Sequence, residues 1–301
     1  MIINLNGAFP LYANLKKADN VKNNCFPPFS TLDQKLTDLA KKLSSLDDLQ
    51  KKIEKSSTQW DENNNYRDAL LSFVLLMDEF YDIAYLIIRN VSSVAEDESH
   101  TNSIEWVKKH EHSKYELLKG AISKDHEWIR LTANLKKHDD VRVGFLNMTT
   151  RSGKNVYGFY FGVIENGEFT PNAHVHKPYM NSATAFSYNR FINQSIAHLF
   201  KIINALNKAL FNGCKVADVN EYPCSSVTKI IQVFSSVEQV FYPDEYKRKI
   251  LSIRKNKSSY SLIFNVSKYI DRFESGTQLL MVENQGKNGY KMPYHSVLFE
   301  R

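Results

Sequence analysis

Apolar residues recur at Leu32, Leu36, Leu39, Leu43, Leu46, Leu49 and Ile53. The steps of 4, 3, 4, 3, 3 and 4 residues follow one face of an α-helix. Phe26-Pro27-Pro28-Phe29 precedes it and stops any earlier helix, since proline lacks a donor and restricts its predecessor; Ser30 or Thr31 can cap the new one. Such a stripe packs against neighbouring helices of its own chain or forms a seam with a second chain. Residues 1–30 otherwise read as irregular. After the polar run Asp61-Glu62-Asn63-Asn64-Asn65, a second helix is expected over Tyr66–Arg89, apolar on most faces and central to a bundle. Ser92–Asn102 is a polar connection. A third helix over Ser103–Lys119 and a fourth over Lys124–His138 complete a four-helix bundle.

The period then changes from 3.6 to 2. Val141–Thr149 alternates as a strand, Thr150–Asn155 is a turn, and Val156–Ile164 is a second strand dense in aromatics. Asn166-Gly167 suits the positive φ of a hairpin, and Phe169-Thr170 starts a third strand. A helix returns at Thr184–Phe211, with Gly213 as its C-cap. Further on, Ser225–Ser236 and Glu245–Arg254 read as helices, and Tyr260–Val266 and Gln278–Val282 as strands. The expected fold is mainly α (α+β): a four- to five-helix bundle over residues 1–213, a three-stranded β-meander inserted at about 141–175, and a small α+β region over 214–301.

Composition narrows the classes. Of 301 residues, 43% are hydrophobic, and 18 Phe and 16 Tyr exclude a disordered tail. The net charge of +6 comes partly from Lys247-Arg248-Lys249 and Arg254-Lys255-Asn256-Lys257. It is compatible with a nucleic-acid partner or with a solvated surface. The three cysteines, Cys25, Cys214 and Cys224, form no C-x-x-C pair. They imply a reducing, cytoplasmic setting. Residues 1–6 do not read as a signal peptide. Asp78, Glu79 and Asp82 inside the most apolar helix argue against a membrane span.

One stretch carries candidate chemistry: Ala133-Asn134-Leu135-Lys136-Lys137-His138, at the end of the fourth helix. Its Asn-x-x-x-His spacing resembles the active-site helix of HEPN-type ribonucleases, in which an arginine stands directly before the asparagine. Here that position is Ala133. The resemblance covers about residues 32–138 and extends to the helix at 184–211. It implies a helical bundle, dimers with two motifs facing one cleft, and no cofactor or metal. It further implies that His138 acts as general acid or base, with Asn134 beside it, and that a cation stabilises phosphate charge. Arg130, one turn earlier, is the nearest substitute for that cation. Lys136, Lys137 and Arg142, with Arg151 and Lys154 in the meander turn, would contact RNA. The segment also resembles a family of uncharacterised bacterial proteins that likewise lacks the arginine. Stress or phage defence is the setting the HEPN resemblance implies.

Three functional readings follow. The first is a HEPN-like protein that binds RNA or a protein partner, including a homodimer through helical faces. The second is a metal-independent ribonuclease using His138. The third is an adaptor docking through the Leu32–Ile53 helix. His110-x-His112, expected on a helix, sets its rings about 200° apart and cannot chelate. His174-x-His176, expected in an extended stretch, would share a face, yet no third ligand is evident. No nucleotide-binding glycine motif and no G-x-S-x-G elbow occurs. The aromatic run Tyr157-Gly158-Phe159-Tyr160-Phe161 reads either as strand packing or as a base-stacking surface.

Overall fold

The computed structural model describes residues 1–18, 26–55, 64–94, 102–138, 142–149, 155–165, 167–180, 185–212, 219–242, 245, 250–265 and 282–284. The fold is mainly α, with two small antiparallel sheets.

Five helices build the bundle. They are α1 (Pro10–Lys17), α2 (Pro28–Lys55), α3 (Asn64–Val91), α4 (Ser103–His110) and α5 (His112–His138). Both α1 and α2 begin at a proline, whose fixed φ and absent N–H suit the first helical position. That is why the helix after Pro27 starts at Pro28 and not at Ser30 or Thr31, and why residues 10–17 are helical where an irregular segment was expected. The α2 stripe is buried at Leu32, Leu36, Leu39, Leu43, Leu46 and Ile53. It packs on α3 and on α8 (Ser225–Ser236). The face expected to dock a partner is therefore covered by the chain itself.

The third and fourth helices divide differently from the sequence expectation. The break falls at Glu111, which leaves the helical region at φ −132°, and α5 runs unbroken through Gly120. Glu111 closes α4 through its N–H to the Val107 carbonyl at 2.8 Å. Its own carbonyl accepts the first bonds of α5, from Lys114 and Tyr115, at 3.0 Å each. A glycine inside a helix costs about 1 kcal/mol; the packing of α5 on α3 and on the helix at Tyr188–Phe211 overrides it. The histidines of His110-x-His112 consequently sit on two different helices.

Helix α7 (Tyr188–Phe211) is the centre of the molecule: 17 of its 24 residues are buried. It packs on α1, α3, α5 and α8 and on strands from both sheets. Ser187 caps its start by accepting from the Arg190 N–H at 3.2 Å. Its end is Asn212, in the left-handed region at φ 51°, one residue before the expected Gly213.

Strands β2 (Arg142–Thr149), β3 (Asn155–Glu165) and β4 (Glu168–Pro171) form the antiparallel meander in the order β4-β3-β2. The short β5 (Phe186–Ser187) adds to β3, and β8 (Val282–Asn284) adds to β2. Alternation along β3 divides its side chains between two cores. Phe159 and Phe161 enter the main core, while Val156 and Tyr160 join Leu146, Phe169, Ala185 and Tyr242 in a second. Three of the aromatics are thus core residues, not a stacking platform. Glycines make room for the rings. A Cβ on Gly158 would lie 2.3 Å from both the Phe186 carbonyl oxygen and the Tyr242 hydroxyl. Gly158→Ala is expected to cost about 1–3 kcal/mol by overpacking, seen as a lower urea midpoint with unchanged slope.

The second sheet runs β1-β7-β6, from Ile2–Asn4, Ser259–Asn265 and Ile250–Lys255. Strand β6 replaces the second half of the helix expected over Glu245–Arg254. Leu251 and Ile253 alternate with Ser252 and Arg254, a period of two that the surrounding lysines obscure. Helix α6 (Ala173–Met180) replaces the extended stretch expected at His174-x-His176. The two rings therefore leave opposite sides, His176 buried and His174 exposed. Of the C-terminal expectations, most of the strand at 278–282 lies outside the described residues.

Candidate functional site

Two groups of residues stand out from the packing. The first is a buried polar chain where α3, α5 and α7 meet. Asp78 of α3 is only 1% exposed. Its Oδ1 lies 3.1 Å from His126 Nε2 and 2.8 Å from Arg130 Nε, and its Oδ2 lies 3.2 Å from Lys137 Nζ. His126 Nδ1 lies 3.0 Å from His198 Nε2 of α7. The acceptor Asp78 fixes the protons along this chain. His126 donates from Nε2 to Asp78 and accepts at Nδ1 from His198 Nε2–H. His198 Nδ1 is left buried with no hydrogen-bond partner among the described residues. Tyr81 stacks on His126, with centroids 4.1 Å apart, and Arg130 lies over the Tyr81 ring.

Burial would push the Asp78 carboxyl up, but the bond from His126 and the cations Arg130 and Lys137 outweigh it. The group titrates below the ordinary carboxylate range. Burial has the opposite consequence for the imidazoles. His126 is held below its ordinary value despite the pull of Asp78. His198 is held well below it, with His126 and Lys201 adding to burial. Both rings are neutral at pH 7, each with its tautomer fixed.

The motif residues divide around this chain. Arg130 bridges Asp78 and Asp82, the latter at 2.6 Å through its terminal nitrogen. Lys137 holds Asp78. Both cations are thereby matched by carboxylates. Asn134 and Lys136 are exposed, as is Arg142 at the start of β2. Ala133 is fully buried, so the position that carries arginine in HEPN ribonucleases faces the core here. His138 is the last residue of α5; its side chain, Arg151 and Lys154 lie outside the described residues. Among the described residues no hydroxyl or thiol nucleophile meets the histidine chain. Cys224 is buried, and desolvation raises its thiol to about 11. No group of three or more His, Cys, Asp or Glu is placed to hold a metal among the described residues.

The second group lies along α2 and α8. Helices α2 and α8 run side by side in the same direction: Thr37 meets Ser226 at 3.0 Å, and Lys51 reaches Ser236 at 3.5 Å. Between them is an open groove of about 780 Å³. Lys41, Lys51, Lys52 and Lys229 line it, with Ser44, Ser45, Gln232 and Ser236 between them and Asp47 and Asp48 as its acids. Lys51 pairs with Asp47 at 2.6 Å. Lys41, Lys52 and Lys229 are exposed and make no ion pair among the described residues. On α2, Lys52 follows Lys41 by eleven residues, close to three whole turns, so the two share a face.

Sequence reasoning found Arg130 and Lys137 through the motif and missed Asp78, His126 and His198 as a unit. A signal existed: Asp78 and Asp82, and His126 and Arg130, are i,i+4 pairs on helices that otherwise pack. The lysine groove needs the docking of α8 beside α2, 170 residues later, and has no local signature. Comparison with protein-family models, with curated proteins and with solved structures gives no match. Among the described residues no helix is long and apolar enough to cross a membrane.

Proposed function

We propose that the protein is a non-catalytic binding module for single-stranded RNA on a HEPN-like helical scaffold. The observation that carries this reading is the convergence of Lys41, Lys52 and Lys229, each without a carboxylate partner among the described residues, on one groove between α2 and α8. Unmatched cations in a concave surface attract a phosphodiester chain and gain from counterion release. Ser44, Ser45 and Gln232 between them can donate to phosphate oxygens. Binding is favoured over cleavage because Arg130 and Lys137, the cations nearest the HEPN-like motif, are engaged by Asp78 and Asp82. Bacterial stress or phage defence is the setting that the family resemblance suggests.

The test is fluorescence anisotropy of a labelled single-stranded RNA across a salt series. The slope of log Kobs against log salt is expected near −2, about −0.7 for each of three phosphates neutralised. Lys229→Gln reduces its magnitude by about 0.7. A flat salt response overturns the reading. So does EDTA-resistant RNA cleavage that is lost in His138→Ala, because it restores the ribonuclease.

A further inference from the structure

The lysine groove does not end at Lys52. It opens into a second hollow of about 340 Å³, and the two share Asp47, Lys51 and Ser236. The charge reverses across that junction. Among the described residues the first hollow is lined by four lysines and two aspartates, and the second by Asp47, Glu54 and Glu238 with Lys51. Phosphate is repelled there. A ligand entering from the lysine side must present hydrogen-bond donors.

One acceptor in the second hollow is positioned from below. The Tyr66 hydroxyl donates to Gln50 Oε1 at 2.9 Å, and Gln50 Nε2 donates to Glu54 Oε1 at 2.9 Å. Tyr66 and Gln50 are 0% and 1% exposed, so a buried chain sets the amide and aims the carboxylate. Glu54 Oε2 has no hydrogen-bond partner among the described residues, and Oε1 keeps a second lone pair. Tyr157 of β3 supplies aromatic surface to the same hollow. Glu54 is three residues beyond Lys51, about 4.5 Å along the helix axis and on the same side of α2, within the reach of a single nucleotide from phosphate to base.

We propose that this second hollow is a base-recognition subsite that takes guanine, next to a phosphate held by Lys51. The proposal rests on the RNA-binding reading above. A carboxylate accepts from two adjacent donors at once, and guanine alone among the four bases presents an N1–H beside an amino group. Cytosine and adenine present one amino group next to an acceptor. Uracil places its single N–H between two carbonyls, which the carboxylates oppose.

The experiment compares two labelled RNA pentamers by anisotropy at low salt: four uracils around one central guanine, and four uracils around one adenine. The guanine pentamer is expected to bind about tenfold tighter, the discrimination a good bidentate pair gives. Glu54→Gln removes that preference, whereas Lys52→Gln weakens both pentamers by the same factor. Circular dichroism confirms that both variants are folded. Equal binding of the two pentamers, with the lysine dependence intact, overturns the guanine subsite and leaves the RNA-binding reading standing. A guanine preference that survives Glu54→Gln overturns the assignment to this carboxylate. Binding of neither pentamer overturns both readings.

Discussion

Asp78→Ala is expected to cost about 3–5 kcal/mol of stability, the usual penalty for removing one partner of a buried ion pair. The reason lies in what is left behind. Arg130 and Lys137 lose the carboxylate that holds them, and Arg130 retains only the half-exposed Asp82. His126 Nε2–H then points at a void, and an unsatisfied buried donor costs about 1–3 kcal/mol. The proton order along His126 and His198 loses its fixed end. Two controls separate these contributions. Asp78→Asn keeps a carbonyl acceptor for His126 but loses the charge and, at the amide nitrogen, the acceptor for Lys137, so it falls between wild type and Asp78→Ala. Asp82→Ala removes an exposed pair, worth about 1 kcal/mol or less. Urea denaturation at pH 7 measures all three. An Asp78→Ala midpoint no lower than that of Asp82→Ala would show that the chain contributes nothing net.

Much of the helical scaffold was legible because local pattern and tertiary demand agree. The α2 stripe, the alternation of β2 and β3, the turn at Gly167 with its positive φ and helix α8 each carry their periodicity within one element. The failures come where a distant element supplies the reason. Gly120 looks like a break, but α5 is held straight by two neighbouring helices. Residues 173–180 carry no strong apolar period, and they become helical where β4 ends and α6 packs on α5 and β3. Strand β6 is set by its hairpin with β7 and by the docking of β1 on the other side. Those contacts join residues near opposite ends of the chain, and no local window contains both.

The site was legible in fragments for the same reason. The Asn-x-x-x-His motif drew attention to α5, and its Arg130 and Lys137 do belong to a charged unit. What the motif could not give is the acid that neutralises them, on α3, or the imidazole that extends the chain, on α7. The lysine groove has a comparable origin. Lys41 and Lys52 are ordinary solvated residues of an amphipathic helix until α8 brings Lys229 alongside. Glu54 is ordinary until Tyr66 and Gln50 aim it.

The buried histidines also predict a steep loss of stability in mild acid. In the folded chain His126 and His198 are held below the ordinary imidazole value; in the unfolded chain each titrates near about 6.5. Below that pH the unfolded state takes up protons that the folded state refuses. Stability is therefore complete above about pH 6.5 and falls as the pH drops, at up to about 1.4 kcal/mol per unit for each ring still neutral. His198, the more strongly depressed, keeps that slope further down. Asp78 acts in a lower window: its depressed carboxyl stabilises the fold above about pH 3.9 and ceases to do so only below that. Denaturation midpoints at pH 8, 7, 6 and 5 test the sign. His198→Gln keeps a donor for His126 Nδ1 and cannot be protonated, so its profile between pH 7 and 5 should be shallower by about 1.4 kcal/mol per unit at most. Parallel wild-type and variant profiles would mean that His198 gains no proton on unfolding, and the buried, neutral chain described here would be wrong.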